Sequence, residues 1–317
     1  MRKLKTVTIN DSECLAIHTA RVSPRGDLVV GVGGAMGQPG WVSVWDARSC
    51  SRRSVWSAGA TAIANVAVSG DQRLVATACH VTDSIELWEL ATSQQYSTQK
   101  LLTPPYRRNA AGVTQSSTHV SMIAFSHDDR LLAAGCWDMS AKIWNLESRS
   151  MTELFRPHQS NVDFVAFRPC HKSLVSGTYQ SLFVWNADSG ICEQTIDLPA
   201  DDVWQHCLLE AQDKVASISR SGTIRVWNPG DWSFREFHVE LNRAVTSLAN
   251  SSRLNQLAIG LATGEAVFVD TVERRLLSRW KISGHPINSL SYAPDEDAIW
   301  SVTAASDKRL QLHRFST

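Results

Sequence analysis

The stretch CWDMSAKIWNLES, residues 136–148, contains two tryptophans in different settings. Trp137 precedes a short polar turn, whereas Trp144 lies in an alternating apolar run that predicts a β-strand. Positions equivalent to Trp144 recur at intervals of 41 to 44 residues, with one longer interval of 56. This regular period indicates a repeat architecture. The other copies of the run are VSVWDARS (42–49), IELWELAT (85–92), LFVWNADS (182–189), IRVWNPGD (224–231), AVFVDTVE (266–273) and LQLHRFST (310–317).

Each copy belongs to a longer unit with several apolar runs. In the unit around Trp144, the run VSMIAFS (120–126) comes first, LLAAGCW (131–137) second and a weaker run, TELFR (152–156), last. Polar turns such as SHDDR (126–130) separate the runs, and no amphipathic helix is indicated. Four strands at a period near 42 residues predict the blade of a β-propeller.

The chain resembles the WD40 repeat family along its whole length. Trp45-Asp46 is a literal Trp-Asp pair, three copies read Trp-Asn, and Gly284-His285 supplies a Gly-His pair. The resemblance implies an all-β fold, a seven-bladed β-propeller of four-stranded antiparallel blades in one domain, residues 1–317. A strand at 3–10 is expected to complete the seventh blade and so remove an open sheet edge. The expected repeats are 11–49, 60–92, 118–148, 158–189, 200–231, 242–273 and 285–316.

Composition excludes several classes of function. Lys plus Arg equals Asp plus Glu at 31 each, so no global charge favours nucleic acid or an anionic membrane. No apolar segment follows MRKLK at the start, and none approaches the length of a membrane span. The seven scattered cysteines are typical of free thiols in a reducing compartment. We expect a cytoplasmic protein, or a nuclear one in a eukaryote, that is neither secreted nor membrane-bound.

The alternating pattern predicts that the recurring tryptophans point into the space between blades. The resemblance implies that each indole N–H joins a network with a Ser or Thr, a turn Asp and a His. Asp138 and Asp307 each lie six residues before the recurring position, as the turn Asp of the family does. The residues assigned to this structural network are Trp45, Trp88, Trp144, Trp185, Trp227, Asp138, Asp307 and His285.

Trp137 lies directly before the turn Asp. The resemblance places this turn on the top face of the propeller, where the residue before the Asp often contacts partners. Trp, Tyr and Arg are frequent binding hot spots. The long interval places its extra residues mainly in 101–118, and long loops often carry function. We therefore predict partner binding by Trp137, Tyr179, Arg220, His80, Tyr106, Arg107 and Arg108; Trp56, Trp204, Trp232 and Trp280 are expected to pack.

The sequence contains no Gly-rich phosphate loop, no HExxH and no Gly-x-Ser-x-Gly. The ten histidines are dispersed, so neither a metal nor a cofactor is expected. The predicted function is a non-catalytic protein–protein interaction scaffold, a subunit or adaptor of a larger complex that binds peptides or loops of other proteins on its top face. Two alternatives stay open: an enzyme or small-ligand-binding propeller that uses the central channel, and nucleic-acid contact through Arg107, Arg108 and Arg220.

Overall fold

In its described residues, the computed structural model contains 28 strands and one short 3₁₀ helix, Glu210–Gln212. It describes residues 5–9, 17–35, 37–58, 61–79, 84–100, 119–148, 150–155, 158–169, 172–199, 203–241, 243–251, 254–292, 298–304 and 310–316. The strands form four-stranded antiparallel sheets in which each strand pairs with its neighbour along the chain. Short polar turns join these strands, as the sequence pattern predicts.

The strands fall into four positions within a sheet, from the innermost to the outermost. The first strands are β2 (Ile17–Val22), β6 (Ile63–Val68), β10 (Val120–Phe125), β14 (Phe164–Phe167), β18 (Val203–Leu209), β22 (Val245–Asn250) and β26 (Ile287–Tyr292). The second strands are β3 (Leu28–Gly33), β7 (Leu74–Cys79), β11 (Leu131–Cys136), β15 (Ser173–Gly177), β19 (Lys214–Ser219), β23 (Gln256–Leu261) and β27 (Ala298–Ala304).

The third and outer strands complete each sheet. The third strands are β4 (Gly40–Asp46), β8 (Ser84–Glu89), β12 (Ser140–Asn145), β16 (Ser181–Asn186), β20 (Thr223–Trp227), β24 (Glu265–Asp270) and β28 (Leu310–Ser316). The outer strands are β5 (Arg52–Ala58), β9 (Gln94–Lys100), β13 (Ser150–Phe155), β17 (Cys192–Asp197), β21 (Phe234–His238), β25 (Arg275–Lys281) and β1 (Lys5–Ile9).

The prediction of a seven-bladed propeller is wrong in its count of blades. Six blades, rather than seven, consist of four consecutive strands: β2–β5, β6–β9, β10–β13, β14–β17, β18–β21 and β22–β25. The remaining four-stranded sheet is composite, because β26, β27 and β28 are joined by β1 from the other end of the chain. We number the contiguous blades 1 to 6 and call the composite sheet the closing sheet.

The closing sheet joins the two ends of the chain as the sequence predicts. Strand β1 pairs antiparallel with β28, from Lys5 opposite Arg314 to Ile9 opposite Leu310. Of the predicted span 3–10, the structure describes Lys5–Ile9, and all five of these residues are in the strand. The first strands of neighbouring sheets contact each other all the way round, and β26 of the closing sheet contacts both β22 and β2. The propeller is therefore a closed ring around a central axis.

The apolar core lies between the blades. Every residue of β3 and β7 is buried, which shows that both faces of these strands are covered. One cluster between blades 2 and 3, for example, contains Leu87 of β8 together with Ile123 of β10 and Trp144 of β12. Similar clusters join each pair of neighbouring sheets from blade 1 to the closing sheet. Burial on both faces explains why the second and third strands read as nearly continuous apolar runs.

Candidate functional site

The recurring tryptophans lie inside the blade interfaces. Trp45, Trp144, Trp185 and Trp227 are at most 2% exposed, and Trp88 is 8% exposed. The indole Nε1 of Trp88 donates to the hydroxyl of Thr77 at 3.0 Å. The same bond is 2.8 Å long from Trp185 to Ser176 and from Trp227 to Ser217. Each of these indoles thus donates a hydrogen bond to the second strand of its own sheet, so its buried N–H group keeps a partner. In blade 1 the Nε1 of Trp45 is buried without a hydrogen-bond partner.

The network is most complete between blades 3 and 4. His158 Nε2 lies 2.8 Å from Ser176 Oγ, the same hydroxyl that accepts from Trp185. Burial lowers the pKa of His158 to about 4, although the carboxylate of Asp138 and a hydrogen bond with the backbone of Met139 oppose this shift. His158 is therefore neutral near pH 7 and acts as a structural hydrogen-bonding group.

Several of the predicted residues cannot be assigned a position. His80, Tyr106, Arg107, Arg108 and Asp307 lie outside the residues that the structure describes. His285 is described, and its backbone N–H and carbonyl both bond to the side chain of Ser283. The described residues show no bond from the His285 ring to a buried tryptophan.

A channel of about 1130 Å³ runs along the propeller axis. All seven first strands contribute to its wall, with polar side chains such as Thr19, Asn65, Ser121 and Thr246. At one end of the channel the wall continues into the turns between the second and third strands. We call this end the top face.

Four side chains at the top of the channel form what we call the aromatic rim: Trp137, Tyr179, Trp204 and Arg220. Trp137 is 45% exposed, Tyr179 51% and Trp204 44%. Three of the four large aromatic side chains that are exposed in the described part of the chain therefore lie together at this mouth. They belong to blades 3, 4 and 5, which are consecutive around the axis.

Trp137 occupies the turn between β11 and β12, which is held from two sides. Its backbone N–H donates to the carbonyl of His119 at 2.9 Å, just before β10. The carbonyl of Cys136 accepts from Val162 of the next blade at 3.1 Å. A side chain at Gly135 would meet the carbonyl oxygen of Val162 at 2.7 Å, so this close approach requires glycine. The Trp137 ring also packs on the imidazole of His119, with centroids 4.2 Å apart.

Tyr179 occupies the equivalent turn of blade 4, where Thr178 organises the backbone. The Thr178 hydroxyl accepts from the N–H groups of Gln180 and Ser181 at 3.2 and 3.0 Å. His206 Nε2 of blade 5 lies 3.0 Å from the Thr178 carbonyl oxygen, within hydrogen-bonding distance. Burial lowers the pKa of His206 to about 4, so the imidazole is neutral and donates from Nε2.

Trp204 and Arg220 form a stacked pair in blade 5. The guanidinium carbon of Arg220 lies 4.0 Å from the centroid of the Trp204 ring. The Trp204 indole donates from Nε1 to the carbonyl of Val245, at the start of the next blade, at 2.8 Å. Stacking and the hydrogen bond fix the indole while leaving much of its surface exposed. Both residues are thus presented in a set orientation.

One carboxylate lies beside the aromatic rim. Asp163 lies at the mouth of the channel, and the Trp137 side chain hydrogen-bonds to it. Desolvation raises the pKa of Asp163 even though part of the side chain is exposed; the Trp137 bond and the nearby His119 act in the opposite direction. The mouth therefore presents aromatic faces, one guanidinium and one carboxylate within a small area.

The structure brings together three residues predicted for binding, Trp137, Tyr179 and Arg220. It adds Trp204, which was expected to pack; its exposure and its contact with Arg220 correct that prediction. Trp204 lies in DDVWQH (201–206), at the start of a first strand, and this position is the signal that could have revealed it. The other three packing assignments are confirmed. Trp232 is 8% exposed and lies in the core cluster between blades 4 and 5. Trp56 packs against the cluster between blades 1 and 2, and Trp280 packs against the cluster between blade 6 and the closing sheet.

Two further observations concern the described residues only. They contain no group of three or more His, Cys, Asp or Glu side chains that could hold a metal ion. They also contain no helix long and apolar enough to cross a membrane.

Comparison with known proteins agrees with this architecture. A family model described as WD domain, G-beta repeat, matches residues 112–145, which include Trp137 and Trp144. The chain is 30% identical to THO complex subunit 3 of Arabidopsis thaliana over 26% of this chain and 29% of that protein. It is 25% identical to Target of rapamycin complex subunit LST8 of Mus musculus over 35% of each chain.

A third relative is Protein RBL of Arabidopsis thaliana, 31% identical over 22% of this chain and 14% of that protein. The chain thus matches between 14% and 35% of the length of these three relatives. Residues 112–145 thus match a WD40 repeat, and the similar proteins and the ring of four-stranded sheets support the resemblance to WD40 repeat proteins.

Proposed function

We propose that this protein is a non-catalytic interaction module that binds a peptide or loop of a partner protein on its top face. The observation that carries the proposal is the aromatic rim, where exposed Trp137, Tyr179 and Trp204 lie beside Arg220 on the turns and strand starts of three consecutive blades. Trp, Tyr and Arg are the residues most enriched among binding hot spots. Exposed aromatic rings that lie together are also typical of interaction surfaces.

The rim is suited to binding because its side chains are already ordered. Backbone hydrogen bonds hold the Trp137 and Tyr179 turns, and the Trp204 ring is fixed by its bond to Val245. A partner would therefore lose little additional conformational entropy of this protein on binding. Arg220 and Asp163 would orient the partner through charge, while the aromatic rings would supply most of the buried apolar area.

We infer further that the protein works as a subunit or adaptor of a multiprotein complex in the cytoplasm or nucleus. Two of its relatives are named as subunits of complexes, THO complex subunit 3 and Target of rapamycin complex subunit LST8. The five described cysteines are free thiols, which agrees with a reducing compartment. A rigid ring with one well-formed interaction surface fits such a role.

The proposal is tested by comparing partner capture by the wild type with capture by a triple variant, Trp137→Ala, Tyr179→Ala and Arg220→Ala. A matched control removes three exposed apolar side chains elsewhere, through Ile191→Ala, Val272→Ala and Leu276→Ala. Proteins captured from the native source would be identified by mass spectrometry, and the affinity of each candidate would be measured with purified components. Circular dichroism and thermal unfolding would verify the fold of both variants.

The rim variant should lose a specific partner that the control variant retains. For a purified partner, Trp137→Ala alone should weaken binding by about 2 kcal/mol, roughly 30-fold in Kd. Equal capture by the rim variant and the wild type would place the interaction on another surface and contradict the proposal.

A further inference from the structure

Side chains near the start of the first strands bond each blade to the next at the top of the channel. In blades 3, 5 and 6 the second residue of the first strand donates to a backbone carbonyl of the following sheet, and in blade 2 the third residue does so. The bonds run from Ser121 to Val162, from Trp204 to Val245 at 2.8 Å, from Thr246 to Ile287 at 2.7 Å and from Asn65 to Val120 at 2.8 Å. A donor and a carbonyl therefore meet at each of these blade interfaces.

Blade 4 departs from this pattern. Its residue at the equivalent position is Asp163, which lies 42 residues after Ser121 and 41 before Trp204. An ionised carboxylate accepts hydrogen bonds but cannot donate one. The carbonyl at the corresponding place in blade 5 is that of Val203, and no side chain of the described residues donates to it. Val203 also lines the channel, whereas the four accepting residues named above do not. Two acceptors thus occupy the place where a donor and an acceptor meet in the other blades.

The carboxylate of Asp163 has acceptor capacity to spare. The Trp137 side chain hydrogen-bonds to it, and the imidazole of His119 interacts with it electrostatically. Within the described part of the chain Asp163 forms no ion pair. The guanidinium of Arg220 lies instead over the ring of Trp204, 4.0 Å from its centroid. Because a carboxylate offers about four lone-pair sites, most of them remain available to a ligand.

Aromatic rings flank the carboxylate around the mouth of the channel. Trp137 of blade 3 is on one side, bonded to Asp163 and 45% exposed. On the other side, the backbone N–H of Asp163 donates to the carbonyl of Gly177 at 3.0 Å, two residues before the exposed Tyr179. The other described carboxylate of the channel wall, Glu210, follows β18 at the opposite end, roughly 20 Å from the rim. This part of the mouth therefore combines one negative charge, a backbone carbonyl and aromatic surface.

We propose that Asp163, the Val203 carbonyl and the rings of Trp137 and Tyr179 form a pocket for an arginine side chain of the partner protein. The inference rests on the proposed function, because it names the side chain of the bound peptide or loop that the rim recognises. A guanidinium is planar, so it stacks on an aromatic ring while its N–H groups reach a carboxylate and a carbonyl. A lysine ammonium supplies the charge without the flat surface. The carboxylate also repels a polyanion, which favours a protein partner over nucleic acid.

The test uses three small probes on the complete protein: Nα-acetylarginine amide, Nα-acetyllysine amide and Nα-acetylcitrulline amide. Citrulline has nearly the shape of arginine without its charge, and sodium chloride keeps the ionic strength equal. Binding would be followed through the indole N–H resonance of Trp137 in ¹H–¹⁵N spectra. The absence of this resonance from Trp137→Phe assigns it.

The variant is Asp163→Asn, which removes the charge but keeps an oxygen for the Trp137 indole. Its amide can also donate to the Val203 carbonyl, so the variant should fold. The control is Asp188→Asn, which removes an exposed carboxylate that pairs with Lys172. Thermal unfolding would verify the fold of both variants.

The arginine probe should shift the Trp137 resonance saturably in the wild type and in Asp188→Asn. Asp163→Asn should bind this probe about tenfold more weakly or worse, and the wild type should discriminate against citrulline by a similar factor, because a charge-assisted hydrogen bond is lost. No saturable shift, equal affinity for citrulline, or equal affinity in folded Asp163→Asn would overturn the proposal. Lysine that binds as tightly as arginine would also overturn it. Should Asp163→Asn fail to fold, Asp163→Ser, which reproduces the residue of blade 3, is judged by the same criteria.

Failure of this inference is distinguishable from failure of the proposed function. Partner capture by the triple rim variant reports whether the rim binds a partner, whichever side chain enters the pocket. If that variant loses the partner while Asp163→Asn binds the arginine probe as tightly as the wild type, only the arginine pocket is wrong. If the triple variant keeps the partner while the arginine probe still depends on Asp163, the pocket stands and the proposed function is wrong.

Discussion

Replacing Asp138 with alanine should destabilise the protein by about 3 kcal/mol, because this carboxylate neutralises a fully buried lysine. Asp138 Oδ2 accepts from Lys142 Nζ at 2.9 Å, and the Lys142 side chain is 0% exposed. Asp138 Oδ1 also accepts from the backbone N–H and the hydroxyl of Ser140, at 3.1 and 2.6 Å. One carboxylate therefore holds both the buried charge of β12 and the turn that carries Trp137.

The expected change in the free energy of unfolding depends on whether a substitution leaves a buried charge without its partner. Removing one partner of a buried ion pair typically costs about 3–5 kcal/mol, since the other charge remains buried. Lys142 keeps a bond to the Ser140 hydroxyl, which places the expected cost at the lower end. Replacing both partners, with Asp138→Ala and Lys142→Met, removes the charge and should cost about 1 kcal/mol or less. Lys142→Met alone leaves only a partly exposed carboxylate and should cost little, so the interaction energy between the two sites is about 2 kcal/mol.

The assay is equilibrium urea unfolding of the wild type, both single variants and the double variant. Asp188→Ala serves as the control, because Asp188 pairs with Lys172 at 3.0 Å where both side chains are largely exposed. Such surface pairs contribute about 0–1 kcal/mol. The reasoning is refuted if Asp138→Ala is equally destabilising with and without Lys142→Met, or if its cost does not exceed that of Asp188→Ala.

Three further predictions concern the same architecture. Met139 has a φ of 66°, whereas Gly222 and Gly264 occupy the equivalent place in blades 5 and 6, so Met139→Gly should stabilise the protein by about 0.5–1 kcal/mol in urea unfolding. The pKa of His158 is lowered from 6.5 in the unfolded chain to about 4 in the folded protein. Between these pH values the unfolded chain binds more protons than the folded protein. The free energy of unfolding should therefore fall by up to about 3 kcal/mol as the pH is lowered from 6.5 to 4. In pH-dependent urea unfolding, His158→Gln should flatten that dependence; an unchanged slope would contradict it. Deleting residues 1–9 removes the five residues that pair with β28, so the melting temperature should fall. The exposed edge of β28 should also promote association, which light scattering would detect. An unchanged melting temperature would contradict closure of the ring by β1.

Much of the fold could be predicted because the blade is a local unit with a strong pattern. The alternation around Trp144 and the apolar runs of the second and third strands reflect burial between neighbouring blades. The closing strand could also be predicted, since the last repeat ends after its third strand and residues 3–10 read as a strand without a blade. Bounds were less predictable: the sequence GGAMGQPGW (33–41) reads as a loop, yet Gly40 and Trp41 belong to β4, and Trp41 is buried. The glycines obscure this strand start because they resemble turn signals.

The binding surface could be predicted only in part. Trp137, Tyr179 and Arg220 share one position relative to the repeat, so the period alone groups them. Trp204 is at a different position in its repeat, and its place in the rim depends on how the start of β18 meets the β19–β20 turn across the top face. Such features depend on long-range packing, which a repeat pattern does not encode.

The same hydrogen bonds that build the ring also position the aromatic rim, and this links stability to binding. The bond between Cys136 and Val162 joins blade 3 to blade 4, that between Thr178 and His206 joins blade 4 to blade 5, and Trp204 bonds to Val245 of blade 6. Each exposed aromatic residue is therefore supported by the next blade around the axis. A substitution that loosens one blade interface should weaken partner binding at the neighbouring turn before the protein unfolds, because these contacts order the surface that the partner meets. His206→Ala tests this link: it removes the donor to the Thr178 carbonyl without touching the rim, so a folded variant with unchanged partner affinity would show that the rim does not depend on the interface behind it.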